Sequence, residues 1–97
     1  MHIITQTRLR EFAIRHPDAD RPLRVWEKIM RAKKYKDPHE VRSDFGSADF
    51  TGDGRTIFDI GGNKYRLVTK MMYDWGKVLI LGVYTHAEYD RSFSRRH

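Results

Sequence analysis

The spacing of apolar residues predicts two helices in the first third of the chain. Between residues 6 and 16, apolar side chains recur three and four positions apart, and Pro17 ends the pattern. A second helix is predicted to begin near Asp20, which acts as its N-cap, with Pro22 in the first turn. The faces expected in the core carry Leu9, Phe12, Ala13 and His16 in the first helix, and Leu23, Trp26, Ile29 and Met30 in the second.

Shorter elements are predicted on either side of these helices. Residues 2–5 are long enough only for an edge strand or an extended arm. Asp37 is a good N-cap, Pro38 suits the first helical position, and Glu40 stands three residues after the cap. A short helix through Phe45 is therefore predicted. Residues 46–54 contain three glycines and two aspartates, a composition typical of a loop.

From Thr56 onward the pattern changes to the two-residue period of β-strands. Three strands are predicted, within residues 56–60, 64–72 and 77–85. The intervening Gly61-Gly62-Asn63 and Asp74-Trp75-Gly76 segments have the length and residue types of hairpin turns, which indicates an antiparallel meander. The order of elements predicts an α+β fold, with helices on one face of a mainly antiparallel sheet of about four strands.

The middle strand separates apolar from cationic side chains. Tyr65, Leu67, Thr69 and Met71 are predicted to face one way, and Lys64, Arg66, Val68 and Lys70 the other. The cationic face could hold phosphates, and it also fits an ordinary solvated surface. In the last strand, Gly82 leaves a gap in side chains just before Tyr84, or marks a bulge.

Length, composition and charge narrow the classes of function. The 97 residues make one small domain, since a domain takes roughly 100 to 200 residues. No apolar run approaches the ~18 residues that span a bilayer. The net charge of +6 favours an anionic partner such as nucleic acid, an anionic surface or an acidic protein. With no cysteine and no export signal, a cytoplasmic protein without disulfides is expected.

The segment Thr85-His86-Ala87-Glu88 is typical of a capping box at the start of a short helix. Thr85 and Glu88 are then structural, and His86 lies in the first turn beside free backbone N–H groups. Tyr89 and Asp90 follow at three and four residues, on the same side of that helix as His86.

A histidine, a tyrosine and a carboxylate beside a cationic strand could cleave RNA without a metal. One group would take the 2′-hydroxyl proton, another would protonate the leaving 5′-oxygen, and cations would stabilise the phosphorane. Structural roles are the alternative, with His86 capping or packing, Tyr89 filling the edge of the core and Asp90 pairing with Arg91.

Further cations and aromatic residues could extend a nucleic-acid surface. Four cations near the end of the second helix could track phosphates or simply be solvated: Arg31, Lys33, Lys34 and Lys36. Four aromatic residues could stack on bases, although aromatic residues in strands more often belong to the core: Tyr65, Tyr73, Trp75 and Tyr84.

Neither a metal site nor an organic cofactor is predicted. The five histidines are scattered along the chain, and the pair of His86 and Asp90 is two ligands short of a zinc site. Gly61-Gly62 lacks the spacing of phosphate-binding loops, so we interpret it as a turn.

Two ordered motifs resemble those of a known family. Phe58-Asp59-Ile60-Gly61-Gly62-Asn63-Lys64-Tyr65-Arg66-Leu67-Val68 and the later Thr85-His86-Ala87-Glu88-Tyr89-Asp90 are similar to segments of the HigB toxins of type II toxin-antitoxin modules, in the RelE superfamily. The similarity extends to Met1-His2-Ile3-Ile4, His16-Pro17-Asp18-Ala19 and Ser47-Ala48-Asp49-Phe50. It covers residues 1–91, interpreted as one RelE/HigB-like toxin domain, and leaves residues 92–97 as a basic C-terminal tail.

The resemblance implies a RelE-like fold and a metal-independent endoribonuclease. Such an mRNA interferase cuts messages on the translating ribosome and inhibits protein synthesis and growth. The implied partners are the ribosome, mRNA and a helix-turn-helix antitoxin (HigA-like), with operator DNA bound only through the toxin-antitoxin complex and no membrane. The functional signature positions of the family fall on Asn63, Arg66, His86, Tyr89 and Asp90.

These positions define the expected roles. Arg66 holds the scissile phosphate, helped by Lys70, which strand alternation adds to the set. His86 and Tyr89 are the leading acid-base and stacking groups, and Asp90 orients His86 or Arg91. Contacts with RNA or the ribosome are expected from Asn63, Lys64, Tyr84, Arg31, Lys33, Lys34 and Lys36.

The sequence departs from the family pattern at two positions of the last strand. Leu81 stands where many relatives have Arg or Lys, which removes one expected phosphate contact and leaves Arg66 in place. Tyr84 stands where a small residue is common. The alternative from another functional class is a non-catalytic RNA- or ribosome-binding module of the same fold, a degenerate toxin.

Overall fold

A computed structural model describes residues 1–91 of the chain. Its helices are α1 (Thr7–Arg15), α2 (Asp20–Ala32), α3 (Pro38–Asp44) and α4 (His86–Tyr89), with 3-10 turns at Pro17–Ala19 and Tyr73–Trp75. Its strands are β1 (His2–Ile4), β2 (Asp49–Phe50), β3 (Arg55–Ile60), β4 (Tyr65–Met72) and β5 (Lys77–Thr85). The basic tail predicted at residues 92–97 lies outside the described residues.

The strands form one five-stranded sheet in the order β1-β5-β4-β3-β2. β3, β4 and β5 are the predicted antiparallel meander, and β1 is an edge strand parallel to β5. The sequence did not reveal β2, because two residues inside a glycine-rich segment show no alternation. They pair with Thr56 and Ile57. The predicted α+β fold with a mainly antiparallel sheet is confirmed.

One face of the sheet forms the core with α1 and α2. The Trp26 ring meets the Phe58 ring edge to face, with centroids 5.4 Å apart. Of the predicted stripe on α2, Leu23, Trp26 and Met30 are buried, whereas Ile29 is only half-buried. The buried cluster includes Leu9, Phe12, Leu23, Trp26, Met30, Phe58, Leu67, Val78 and Ile80.

Both ends of α2 differ from the prediction. Ala19, not Asp20, holds the N-cap position, because the preceding 3-10 turn already brings helical backbone up to the start of α2. Asp20 instead accepts a hydrogen bond from Arg24 at 2.9 Å. The helix ends at Ala32 and Lys33 is extended, so three of the four predicted helix-end cations lie in the connection to α3.

The start of α3 agrees with the sequence pattern. Oδ1 of Asp37 accepts a hydrogen bond from the Glu40 N–H at 3.0 Å, and Pro38 occupies the first helical position.

Among residues 1–91, no helix combines the length and the apolar composition that crossing a membrane requires.

A β-bulge interrupts the pairing of β4 with β5. Val68 lies opposite Gly82 and Thr69 opposite Ile80, which leaves Leu81 without an opposite residue. Of the two interpretations of Gly82, a gap in side chains or a bulge, the structure shows a bulge, centred on Leu81. Because the bulge shifts the alternation of β5 by one residue, Gly82 and Tyr84 share the sheet face of Val68 and Arg66. That face, directed away from the helical core, is called the open face below.

Candidate active site

The open face combines an apolar floor with charged surroundings. Ile57 and Val68 at its centre are each 2% exposed. Val68, predicted to face outward among the cations, is thus buried although it does lie on the cationic face. The face is formed by Arg55, Ile57 and Asp59 of β3, Arg66, Val68 and Lys70 of β4, and Gly82 and Tyr84 of β5.

Arg66 is held in place by the turn that precedes it and by the neighbouring strand. Its Nη2 donates a hydrogen bond to Oδ1 of Asn63 at 2.9 Å, and its Nη1 donates to the Asn63 carbonyl at 3.2 Å. Nη1 also lies 3.1 Å from Oδ1 of Asp59, which is directly opposite on β3. The side chain of Arg66 is only 13% exposed. The Gly-Gly-Asn-x-x-Arg motif is therefore a local device that fixes one guanidinium.

Gly61 and Gly62 allow this arrangement, because both have φ near +65° to +70°, a conformation that favours glycine. The tight turn they form returns β4 beside β3 so that Asn63 precedes Arg66 at the rim of the open face. The turn predicted from the sequence is confirmed.

Arg55 is a cation of the open face that the strand pattern did not include, because the predicted strand begins at Thr56. It is opposite Lys70 in the pairing of β3 with β4, and its Nη2 lies 2.7 Å from Oδ2 of Asp53. The hydrogen bond with Asp53 raises the pKa of Arg55, and Tyr89 and Tyr84 lie near enough to add to that shift. Arg55 lies just before the predicted strand, but extending the alternation backwards from Asp59 would have identified it.

The side chain of Tyr84 fills the space above Gly82. A β-carbon at Gly82 would lie only 2.6 Å from the hydroxyl oxygen of Tyr84 and 2.8 Å from its Cζ atom. The ring of Tyr84 therefore folds back over Gly82. The absence of a side chain at residue 82 is what allows the ring of Tyr84 to fit on the open face.

The capping box predicted at the end of β5 is confirmed. Thr85 Oγ1 accepts a hydrogen bond from the Glu88 N–H at 3.1 Å, and Glu88 Oε1 accepts one from the Thr85 N–H at 2.9 Å. The His86 N–H donates to the Lys64 carbonyl at 3.0 Å. The expectation of free donors beside His86 is thus wrong at these positions, since the cap and the neighbouring turn already use them.

α4 brings His86, Tyr89 and Asp90 to the rim of the open face. Nδ1 of His86 lies 3.1 Å from Oδ2 of Asp90, and about half of each side chain is exposed. The guanidinium carbon of Arg66 lies 5.9 Å from the centre of the Tyr89 ring, within the range of a cation–π contact. Tyr89 therefore links Arg66 to the short helix that carries His86 and Asp90, and the functional role of these residues stays a prediction.

Lys64 does not belong to this group. Its ammonium lies 2.5 Å from Oδ2 of Asp18, and the Tyr65 hydroxyl donates to the other oxygen of the same carboxylate at 2.5 Å. The Lys64 contact, then that of Tyr65, lowers the pKa of Asp18. The predicted alternation is wrong for Lys64 because this residue precedes β4, in the turn, and its side chain reaches the helical layer.

Three of the four cations near the end of α2 contact residues outside the open face. Arg31 contacts Gln6, Lys33 lies 2.7 Å from Oδ2 of Asp44, and the stem of Lys34 packs beside Gly76. Gly76 precedes β5 and α4 follows it, so Lys34 lies near the opposite end of β5 from His86. The role of these cations in RNA or ribosome binding stays a prediction.

Comparison with known proteins identifies the family of this chain. Residues 19–92 match the sequence model of the HigB toxins, described as the RelE-like toxic component of a toxin-antitoxin system. The chain belongs to the HigB toxin family.

Three HigB relatives align over most of their length. The chain is 32% identical over 92 residues to the mRNA interferase toxin HigB of Escherichia coli strain K12, covering 93% of this chain and 88% of that protein. The mRNA interferase HigB of Shigella flexneri gives the same identity and coverage. An mRNA interferase HigB from an Escherichia coli O6:H1 strain is 26% identical over 93 residues, 94% of this chain and 90% of that protein.

In this HigB family member, the open face is suited to binding an anion beside a proton-transfer group. Arg66 and Arg55 are each paired with an aspartate, whereas Lys70 is exposed and has no ion-pair partner among residues 1–91. His86 uses Nδ1 for Asp90, so Nε2 is the ring nitrogen available to a substrate. Within that same part of the chain, no three histidine or carboxylate side chains are grouped to hold a metal ion.

Proposed function

We propose that this protein is an mRNA interferase, a ribosome-dependent and metal-independent endoribonuclease that cuts messages during translation. One observation carries the proposal: Tyr89 contacts Arg66 from the same short helix that pairs His86 with Asp90. An imidazole and a guanidinium therefore border one surface, beside a second arginine and an exposed lysine. This is the set of groups that RNA cleavage by the 2′-hydroxyl requires.

The reaction is a transesterification within the RNA. The 2′-oxygen attacks the adjacent phosphorus while its proton passes to a base, and the bond from phosphorus to the 5′-oxygen breaks as an acid protonates that oxygen. The products are a 2′,3′-cyclic phosphate and a 5′-hydroxyl. Arg66 and Lys70, with Arg55, stabilise the additional negative charge on the phosphorane.

His86 takes part in proton transfer through Nε2, with Asp90 as its positioning residue. The ring of Tyr89 extends from α4 to Arg66, where it can stack on a base or hold the guanidinium. Asn63 acts through Arg66, which it fixes by two hydrogen bonds. Tyr84 contributes an aromatic surface next to the phosphate-binding cations.

We propose that the ribosome orients the message, because the site has few acid-base groups. A flexible message must be held with its 2′-oxygen in line with the bond that breaks, and a translating ribosome supplies that orientation. The other proposed partner is a HigA-like helix-turn-helix antitoxin, which would connect the toxin to operator DNA. The proposed location is the cytoplasm, where messages are translated.

Induced expression in a bacterial host tests this function. The wild type is expected to arrest growth and to produce new 5′ ends in translated messages, mapped by primer extension. Arg66→Ala and His86→Ala are each expected to restore growth and to remove those ends. Lys28→Gln, which removes an exposed cation from α2, is the matched control and should remain toxic.

One outcome would overturn the proposed function, and another would overturn the proposed site. Unimpaired growth with intact ribosome-bound message on full induction would make the protein a binding module without cleavage. Cleavage by both variants at the wild-type level would leave the activity in place and remove the site.

A further inference from the structure

The tip of the β4–β5 hairpin carries the most exposed aromatic residue among residues 1–91. Trp75 is 74% exposed, whereas the other tryptophan, Trp26, is 2% exposed. Trp75 ends the 3-10 turn Tyr73–Trp75, and Gly76 then reverses the chain with φ of 65°. The indole therefore contributes little to the core, and its ring is available to a ligand.

Two lysines lie near this turn, Lys34 beside Gly76 and Lys77 at the start of β5. The stem of Lys34 packs beside Gly76, with Cε 3.2 Å from the position of a β-carbon there. The backbone N–H of His2 donates to the Gly76 carbonyl at 2.8 Å, and His2 lies opposite Lys77 in the pairing of β1 with β5. The side chains of His2, Lys34 and Lys77 are exposed, and Asp74 is the one carboxylate within the turn.

This aromatic and cationic tip is far from the proposed catalytic groups. β5 runs from Lys77 beside the tip to Thr85 beside His86. At about 3.3 Å per residue the two ends lie roughly 25 Å apart. One nucleotide cannot contact both, so the nucleotide bound at the tip is a different one from the nucleotide that is cut.

We infer that the hairpin tip is a second RNA-binding surface, on which Trp75 stacks against an unpaired base of ribosomal RNA while Lys34 and Lys77 contact the flanking phosphates. The inference rests on the proposed function, since a ribosome-dependent nuclease needs a hold on the ribosome besides its contact with the message. The chemistry is general: any base can stack on an indole, and lysines bind the phosphates without sequence preference.

Co-sedimentation of purified full-length protein with bacterial ribosomes tests the surface. Trp75→Ala is expected to weaken binding about 5- to 100-fold, the range for loss of one stacked base. Trp75→Phe, which keeps a stacking ring, should stay within a few-fold of the wild type. Ile14→Ala removes another exposed apolar side chain, 79% exposed on α1, and should bind like the wild type. Lys34→Gln should lower the salt dependence of binding by about one counterion.

Tryptophan fluorescence identifies the ligand class. A single-stranded oligoribonucleotide with 2′-O-methyl groups resists cleavage, and it should quench the exposed Trp75 in the wild type but cause no quenching in Trp75→Phe. Ribosome binding by Trp75→Ala at wild-type strength would overturn the inference. Loss of ribosome binding without quenching by RNA would assign the tip to a protein partner, and a blue shift with anionic vesicles alone would assign it to a lipid surface; both outcomes also overturn it.

The cleavage assay separates this inference from the proposed function. A wild type that cuts messages together with a Trp75→Ala variant that binds ribosomes normally would remove the tip and leave the nuclease. A wild type that cuts nothing but binds ribosomes through Trp75 would do the reverse.

Discussion

Nδ1 of His86 and Oδ2 of Asp90 lie 3.1 Å apart across one turn of α4. A carboxylate in this position holds the imidazole ring in one orientation, with Nδ1 towards Asp90. Nε2 is thereby the ring nitrogen turned away from Asp90. In the proposed mechanism this is the nitrogen that transfers the proton.

Replacing Asp90 by Asn should reduce cleavage without abolishing it. We expect a loss of about 10- to 100-fold from the poorer orientation of His86, against about 100- to 10,000-fold for His86→Ala. The measurement is the rate of message cleavage on programmed ribosomes. Asp49→Asn, on the exposed edge strand, is the control and should cut normally. An Asp90→Asn variant that cuts at the wild-type rate would mean that Asp90 does not position His86.

Arg66 and Asp59 should be energetically coupled. Their side chains are 13% and 24% exposed and their charged atoms lie 3.1 Å apart, so removing either one leaves a poorly solvated charge. Urea unfolding of Arg66→Ala, Asp59→Ala and the double variant should give a coupling free energy of about 1 kcal/mol. A coupling indistinguishable from zero would mean that the pair does not position the guanidinium.

Gly82→Ala should disturb the site more than the fold. The new β-carbon would lie 2.6 Å from the Tyr84 hydroxyl oxygen, so the Tyr84 ring must swing away. Because a ring can rotate, we expect the loss of unfolding free energy to stay within about 1 kcal/mol, while cleavage falls. In a Tyr84→Ala background the same change should have no further effect on cleavage. An equal fall in both backgrounds would show that Gly82 acts through the backbone and not through Tyr84.

Acid should destabilise the protein through Asp18. Hydrogen bonds from Lys64 and Tyr65 hold the pKa of Asp18 below its ordinary value of 3.8. The unfolded chain then takes up this proton at a higher pH than the folded one, so the stabilisation is complete above about pH 4 and is lost as the pH falls through the folded pKa. Asp18→Asn should have a lower Tm at neutral pH and a shallower fall in Tm below pH 4. Parallel curves for variant and wild type would exclude this contribution.

Local patterns in the sequence predicted most of the fold. The predicted strands within residues 64–72 and 77–85 differ from β4 and β5 by no more than one residue at any boundary, because alternation and turn glycines act over short distances. β2 is a different case, since its two residues become a strand only by pairing with β3. Asp20 likewise is not the N-cap of α2, because a 3-10 turn that no residue pattern predicted precedes the helix.

The site was predictable where its residues share a local motif, and less so where they meet across the sheet. Asn63 with Arg66, and His86 with Asp90, are three and four residues apart, and both contacts are present. Asp59 and Arg55 reach the site only through strand pairing, which requires the register. Lys64 shows the limit of alternation, because a residue one position before a strand is free to point elsewhere.

The decisive measurement is the cleavage of a defined message on programmed ribosomes by purified protein. We expect the wild type to cut ribosome-bound message efficiently and naked message poorly, and Arg66→Ala and His86→Ala each to lose at least 100-fold of the rate on ribosomes. An uncut message on ribosomes, equal cleavage of naked RNA, or variants that cut at the wild-type rate would contradict it.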